Sequence, residues 1–199
     1  MFQLLLFFWT LGLTFQPLRQ PNPVSTHLIQ PSKSSVRFSL SDSGTVYSGS
    51  VPVLKGKINM NGNVVVGGRV ELNARKTWVR IPGQNLESKP YSDSARSARF
   101  LHSKRFPVII FELESCMMKT ANEYILKGNL IMHGKTISFT FPGKAEYSSK
   151  HVRIFGRLEF DRTFFGITHR SVKYVAGLGN LAIPDLVRAE FNLYADRKP

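Results

Sequence analysis

Val152-Arg153-Ile154-Phe155-Gly156-Arg157-Leu158-Glu159-Phe160 alternates apolar and polar side chains along its length, with Phe155 the one exception. A strand turns successive side chains to opposite faces, so a period of two means one packed face and one wet face. The pattern recurs on both sides of this segment. Val36-Arg37-Phe38-Ser39-Leu40, Ile137-Ser138-Phe139-Thr140-Phe141 and Ala189-Glu190-Phe191-Asn192-Leu193 alternate, and Tyr124 to Met132 does so less cleanly. Turn residues stand between the runs: Ser41-Asp42-Ser43-Gly44, Asn61-Gly62-Asn63, His133-Gly134-Lys135 and Pro142-Gly143-Lys144. Many strands joined by short turns predict an all-β fold, with an antiparallel sheet closed as a barrel or doubled as a sandwich. Gly67, Gly68, Gly128 and Gly156 fall inside strand patterns, as glycines at barrel corners do, and they leave space on the face they occupy. Asn85 to Arg105 departs from the pattern, with Ser, Ala and Arg at helical spacing. It predicts one or two short helices crossing an end of the barrel.

The chain has 199 residues, with 27 Lys and Arg against 13 Asp and Glu, a net charge of +14. Such an excess asks for an anionic partner: nucleic acid, a membrane surface, or a phosphorylated or carboxylated ligand. Phe2 to Gln16 is uncharged and dominated by Leu and Phe, then gives way to a proline-rich stretch ending at Pro23. The apolar run is shorter than the roughly 18 residues that read as a bilayer span. Residues 1–25 are therefore expected to be a signal peptide and short tether, with an uncleaved anchor as the alternative, and residues 26–199 to be the barrel. The expected location is periplasmic or secreted. Removing the leader removes Arg19 and leaves +13. The single cysteine, Cys116, cannot form an internal disulfide and reads as packing.

Alternation turns Phe38, Ile109, Phe111, Leu126, Leu130, Met132, Ile137, Phe139, Phe141, Ile154, Leu158, Phe160, Phe191 and Leu193 inward. Two readings stay open for them. They fill a solid core, as in many small barrels, or they line a tunnel for an apolar chain. In the second case each buried methylene adds about 0.8 kcal/mol. His27, His102, His133, His151 and His169 share no zinc-helix spacing, acids are scarce, and no nucleophile elbow or phosphate loop is present. No metal, cofactor or catalysis is expected. Nucleic-acid binding would interleave aromatics with cations on an exposed face. Here only Trp78, Phe155 and Tyr174 leave the inward phase, so nucleic acid is not an expected partner.

Three later motifs carry a family resemblance. Phe106-Pro107-Val108-Ile109-Ile110-Phe111 resembles a Y/F-P-x-I-x-F strand. Gly128 to Thr136 resembles a G-x-L-T-I-H-G-V-T-K hairpin. Phe160-Asp161-Arg162-Thr163-Phe164-Phe165-Gly166-Ile167 resembles an I-D-R-x-D-F-G-I turn. Ser34 to Phe38 resembles S-x-V-x-F, and Gly49 to Gly56 lies where a G-x-F…G segment is usual. In order and spacing the set resembles the YceI-like family over roughly residues 26–196. The resemblance implies a lipocalin-like antiparallel β-barrel of about eight strands that binds polyisoprenoid or other long amphiphilic lipids, quinones among them, without catalysis. The sequence departs from the pattern at three points. Arg99 stands where His is usual, Phe164 replaces the second Asp of the turn, and the hairpin lacks the Val between Gly134 and Lys135. These changes shift charge near the barrel mouth toward positive.

Arg162 has two readings: a surface pair with Asp161, or an arginine at the mouth offering its planar fork to a phosphate. Arg96, Arg99, Lys104 and Arg105 form a second basic group, either a solvated face or an attractor for an anionic head group or leaflet. The expected partners are an isoprenoid or similar amphiphile inside the barrel and an anionic membrane surface outside it. The alternative is an envelope module whose basic face docks an anionic partner. An incomplete barrel would leave edges open to a homodimer.

Overall fold

The computed structural model describes residues 24–42 and 45–197. The expected signal peptide and most of the tether lie outside the described residues. In chain order the strands are β1 (Val24–Ile29), β2 (Ser35–Asp42), β3 (Thr45–Ser50), β4 (Val53–Asn61), β5 (Val64–Asn73) and β6 (Trp78–Val79). The helix α1 (Lys89–Arg96) follows, then β7 (Val108–Met118), β8 (Glu123–Met132), β9 (Lys135–Tyr147), β10 (His151–Asp161) and β11 (Leu186–Arg197). β1 begins at Val24, two residues inside the segment expected to be tether.

All neighbouring strands are antiparallel, and the ring β1-β4-β5-β7-β8-β9-β10-β11 closes where β1 pairs with β11. This is the eight-stranded barrel expected from the sequence. β2 extends β1 along the other half of β11, and β3 and β6 extend β4 and β5 in the same way. β6 would be an open edge. α1 covers it: Val79 N–H donates to Ser92 Oγ at 2.9 Å, and Ser92 is fully buried. Pro90 in the first turn fits the helix start, and Lys89–Asp93 and Asp93–Arg96 ion pairs lie on its wet side. Only this one helix forms within Asn85 to Arg105; the rest is turns tied back by backbone bonds such as Ser103 N–H to Arg96 O at 3.0 Å.

The hairpin between β8 and β9 turns on His133 and Gly134, both at positive φ, which is the primed turn that matches strand twist. The Pro142-Gly143-Lys144 stretch, expected as a turn, lies inside β9. Proline there has a different use. β9 and β10 pair through Gly143–Gly156, and at Pro142, which has no N–H to donate, β9 leaves β10. Gly67 and Gly68 mark a bulge, where Val66 is the extra residue between the Asn59 and Met60 pairings.

The interior is divided. At the end away from α1, Met60, Val65, Tyr124, Ala145, Val152 and Ala195 are almost fully buried and form a solid floor. Tyr124 reaches across it to donate to Asn63 O at 3.4 Å. Nearer α1 the inward glycines change the packing. A Cβ at Gly49 would come within 2.7 Å of the Phe38 ring, at Gly128 within 2.7 Å of Phe111, and at Gly156 within 2.9 Å of Phe191. Each ring therefore lies over a glycine of a neighbouring strand instead of pointing at the barrel axis.

A Cβ at Gly49 would also sit 2.1 Å from the Trp78 carbonyl oxygen, whereas one at Gly67 meets nothing nearer than 3.4 Å. Gly49→Val is expected to lower stability in urea unfolding by about 2–3 kcal/mol, the cost of overpacking, and Gly67→Ala by less than about 1 kcal/mol. Equal losses at the two sites would contradict the close approach of Trp78 and Phe38 to Gly49.

Candidate functional site

The rings that lie along the wall leave a cavity of about 220 Å³ between the floor and α1. Its wall draws on β2, β4, β5, β7, β8, β9, β10 and β11, and Phe100, Leu101 and Ile167 close it from above. Lys57, Arg69 and Arg162 are the charged residues among its lining. Lys57 and Arg69 belong to the outward phase of β4 and β5, where Arg69 pairs with Glu71 and Glu112. Phe111, Phe141 and Phe191 form a connected girdle around the space, with centroids 5.6 and 5.9 Å apart.

Of the expected wall residues, Phe38, Ile109, Phe111, Leu126, Leu130, Met132, Phe141, Ile154, Leu158, Phe160 and Phe191 line this cavity, as does Leu193. Ile137 and Phe139 do not. They belong to the part of β9 that has left β10, and Phe139 packs into the resulting wedge against Phe160 at 6.0 Å and Phe165 at 6.4 Å. The wedge is closed by the turn after β10. His133 Nδ1 lies 3.0 Å from Phe165 O, and Lys135 Nζ donates to Phe164 O at 3.3 Å. Residues not singled out from the sequence also line the cavity, chiefly Val36, Ile58, Val70, Leu72, Leu113 and Val187.

Arg162 lines the cavity's edge, yet neither sequence reading describes it. It is 2 % exposed, and all three of its guanidinium nitrogens bond within the chain. Nε donates to Pro184 O at 3.0 Å, Nη1 to Ile167 O at 2.8 Å and Nη2 to Ile183 O at 2.8 Å. Nη2 also lies 3.0 Å from Asp185 Oδ1. Asp185 in turn accepts from Ser171 Oγ at 2.8 Å through its other oxygen. Arg162 thus clamps the loop 166–185 over the end of the barrel, with each of its three guanidinium nitrogens bonded within the chain. Its sequence neighbour Asp161 pairs with Lys173, not with Arg162, and caps the following turn by accepting from Thr163 N–H at 2.8 Å. Burial raises the Asp161 carboxyl, but the bonds from Lys173 and Thr163 outweigh it and hold the group below its usual value.

Among the described residues no three His, Cys, Asp or Glu side chains gather as a metal site would require. Burial pushes the Cys116 thiol up to about 11, so it stays protonated and unreactive at neutral pH. The outward Phe155 lies under Arg153, with the guanidinium 4.8 Å from the ring centre, and Trp78 lies under Arg80 at 5.1 Å. Each ring has one face under an arginine, and Tyr174, the third residue off the inward phase, is exposed.

The family model for the YceI-like domain matches residues 28–195. The chain belongs to the YceI-like family. Its fold is shared with solved structures of low sequence identity. BcnA of Burkholderia cenocepacia superposes with a TM-score of 0.68 at 16% identity, over 84% of this chain and 99% of that one. A polyisoprenoid binding domain from Saccharophagus degradans gives 0.63 at 9% identity, over 88% and 100%. The YceI protein of Campylobacter jejuni gives 0.57 at 12% identity, over 81% and 85%. No curated protein matches the chain. The family's turn motif now has a physical reading in this YceI-like chain: Asp161 caps, Arg162 clamps, Phe165 fills, Gly166 takes positive φ, and Ile167 faces the cavity.

Removing one member of a buried ion pair strands the other. Arg162→Met is expected to cost about 3–5 kcal/mol in denaturant unfolding, and the pair Arg162→Met with Asp185→Leu to recover part of that loss. A single substitution costing under about 1 kcal/mol would remove the clamp assignment.

Proposed function

We propose that this YceI-like protein is a non-catalytic binder of a long amphiphilic lipid, such as a polyisoprenoid or quinone, held in the barrel lumen within the cell envelope. One observation carries the reading. Phe38, Phe111, Phe191 and Leu193 line the lumen yet remain half-buried, because part of each faces unfilled space. A solid core would cover them. The Saccharophagus neighbour is described as a polyisoprenoid binding domain, which favours the same ligand class. The uncharged run from Phe2 to Gln16 favours export.

Size bounds the contact. An apolar cavity of about 150 Å³ stays dry and takes benzene. The 220 Å³ here therefore suits roughly two five-carbon units. Ten such carbons contribute on the order of 8 kcal/mol of transfer free energy, before the cost of ordering the ligand. A longer chain has to extend beyond the lumen or spread its walls. Arg162 is buried and each of its guanidinium nitrogens is bonded to the loop, so the reading places the head group outside the apolar space.

Leu130 lies on the wall and Phe139 outside it. Leu130→Trp is expected to fill the lumen and to weaken binding of a short polyprenol at least about tenfold by isothermal titration calorimetry. Phe139→Leu is expected to leave affinity within about threefold. Unchanged affinity in folded Leu130→Trp protein would show that the ligand does not occupy the lumen.

A further inference from the structure

The loop 166–185 carries large apolar side chains on its outer surface. Val172 is 68 % exposed, Tyr174 61 % and Leu181 59 %, with Val175 exposed beside them. These residues sit in a segment that Arg162 and Asp185 pin from below through three backbone carbonyls and a carboxylate. The clamp holds the loop's inner face and leaves its apolar side chains facing solvent. An apolar patch held out on a fixed support marks a contact surface.

Charge around the patch is positive. Of the acids at this end of the barrel, Asp93 is engaged by Lys89 and Arg96, Glu159 by Arg188, Asp161 by Lys173 and Asp185 by Arg162. Glu87 remains, and Asp42, the last residue of β2, lies at this end too. Against them stand Arg99, Lys104 and Arg170, all outside those pairs. Arg99 and Arg170 converge near His169, whose ring packs edge-on against Phe100 at 5.4 Å. Burial, then Arg99, then Arg170 hold the His169 pKa below its usual value, as a cationic neighbourhood does. Exposed apolar and tyrosine side chains amid arginines that pair with no acid among the described residues fit the interface of an anionic bilayer, where the acyl boundary takes the first and the head groups the second.

We propose that the end of the barrel bearing α1 and the loop 166–185 rests on an anionic lipid bilayer, with Val172, Tyr174 and Leu181 in the interface and Arg99 and Arg170 against the head groups. This orientation sets Phe100, Leu101 and Ile167, which cover the cavity, between the lumen and the membrane. It deepens the lipid-binding reading by naming the surface from which the lumen would be filled. The bilayer contact has its own readout, so either reading can fail alone.

The test uses the full chain with Cys116→Ser, so that one introduced cysteine carries an environment-sensitive nitrobenzoxadiazole label. Val172→Cys places the label in the patch, and Asn63→Cys places it on an exposed turn at the opposite end. With phosphatidylglycerol-containing vesicles the label at 172 is expected to shift to the blue and that at 63 to stay unchanged. Pure phosphatidylcholine or high salt is expected to abolish the shift. Arg99→Ala with Arg170→Ala is expected to weaken partition at least about tenfold. No shift at 172 would overturn the proposal and leave the patch to a protein partner. An equal shift at 63 would overturn it too, since the chain would then adsorb without orientation. Lipid capture is read separately, by extracting protein that has met no vesicles.

Discussion

Phe38, Phe111 and Phe191 lie across Gly49, Gly128 and Gly156, and this contact governs the inside of the barrel. An inward phenylalanine in a narrow barrel has two places to go: the axis, where it fills, or the wall, where it lines. The wall is available only if the neighbouring strand presents no side chain at that point. Three inward glycines provide that absence. They cost backbone entropy and weaken strand propensity, which a solid core would have no reason to accept. The return is about 220 Å³ of apolar space in a chain that elsewhere packs to a dry floor around Tyr124.

The top of the cavity depends on a second constraint, the buried Arg162. Three carbonyls and Asp185 compensate its desolvation, so a charge that would otherwise be costly in this setting becomes a fixed post. It ties a long loop, whose one regular piece is the 3-10 turn Gly179–Leu181, down as a cover. One face of that cover, at Ile167, touches the lumen. The other carries Val172, Tyr174 and Leu181 into solvent. Cavity and outer patch are thus two sides of one structural element.

Alternation made β2, β8, β10 and β11 legible in the sequence, because each keeps its phase for long enough to be seen. β4 and β5 carry no such signal. Bulges at Lys55 and Met60 shift the phase within a few residues, and Gly67-Gly68 has no side chain to reveal it. Their wall residues, Ile58, Val70 and Leu72, went unread for that reason. Pro142-Gly143 reads locally as a turn, but its neighbours supply hydrogen bonds on the β8 side, and the proline only ends pairing with β10. Ile137 and Phe139 keep the inward phase; what moves them off the lumen is that strand's departure, which no local pattern encodes. Arg162 looked like a surface or mouth arginine because its partners, Ile183, Pro184 and Asp185, lie about twenty residues on, in a stretch with no regular structure.

The central claim is that the lumen is open and takes an apolar chain. A high-resolution crystal structure of the protein purified from its native host tests it most directly. The account predicts elongated density between the Phe38, Phe111 and Phe191 rings, with the Cζ end of each ring over its glycine. Rings turned to the axis, closing the space with no ligand present, would contradict it.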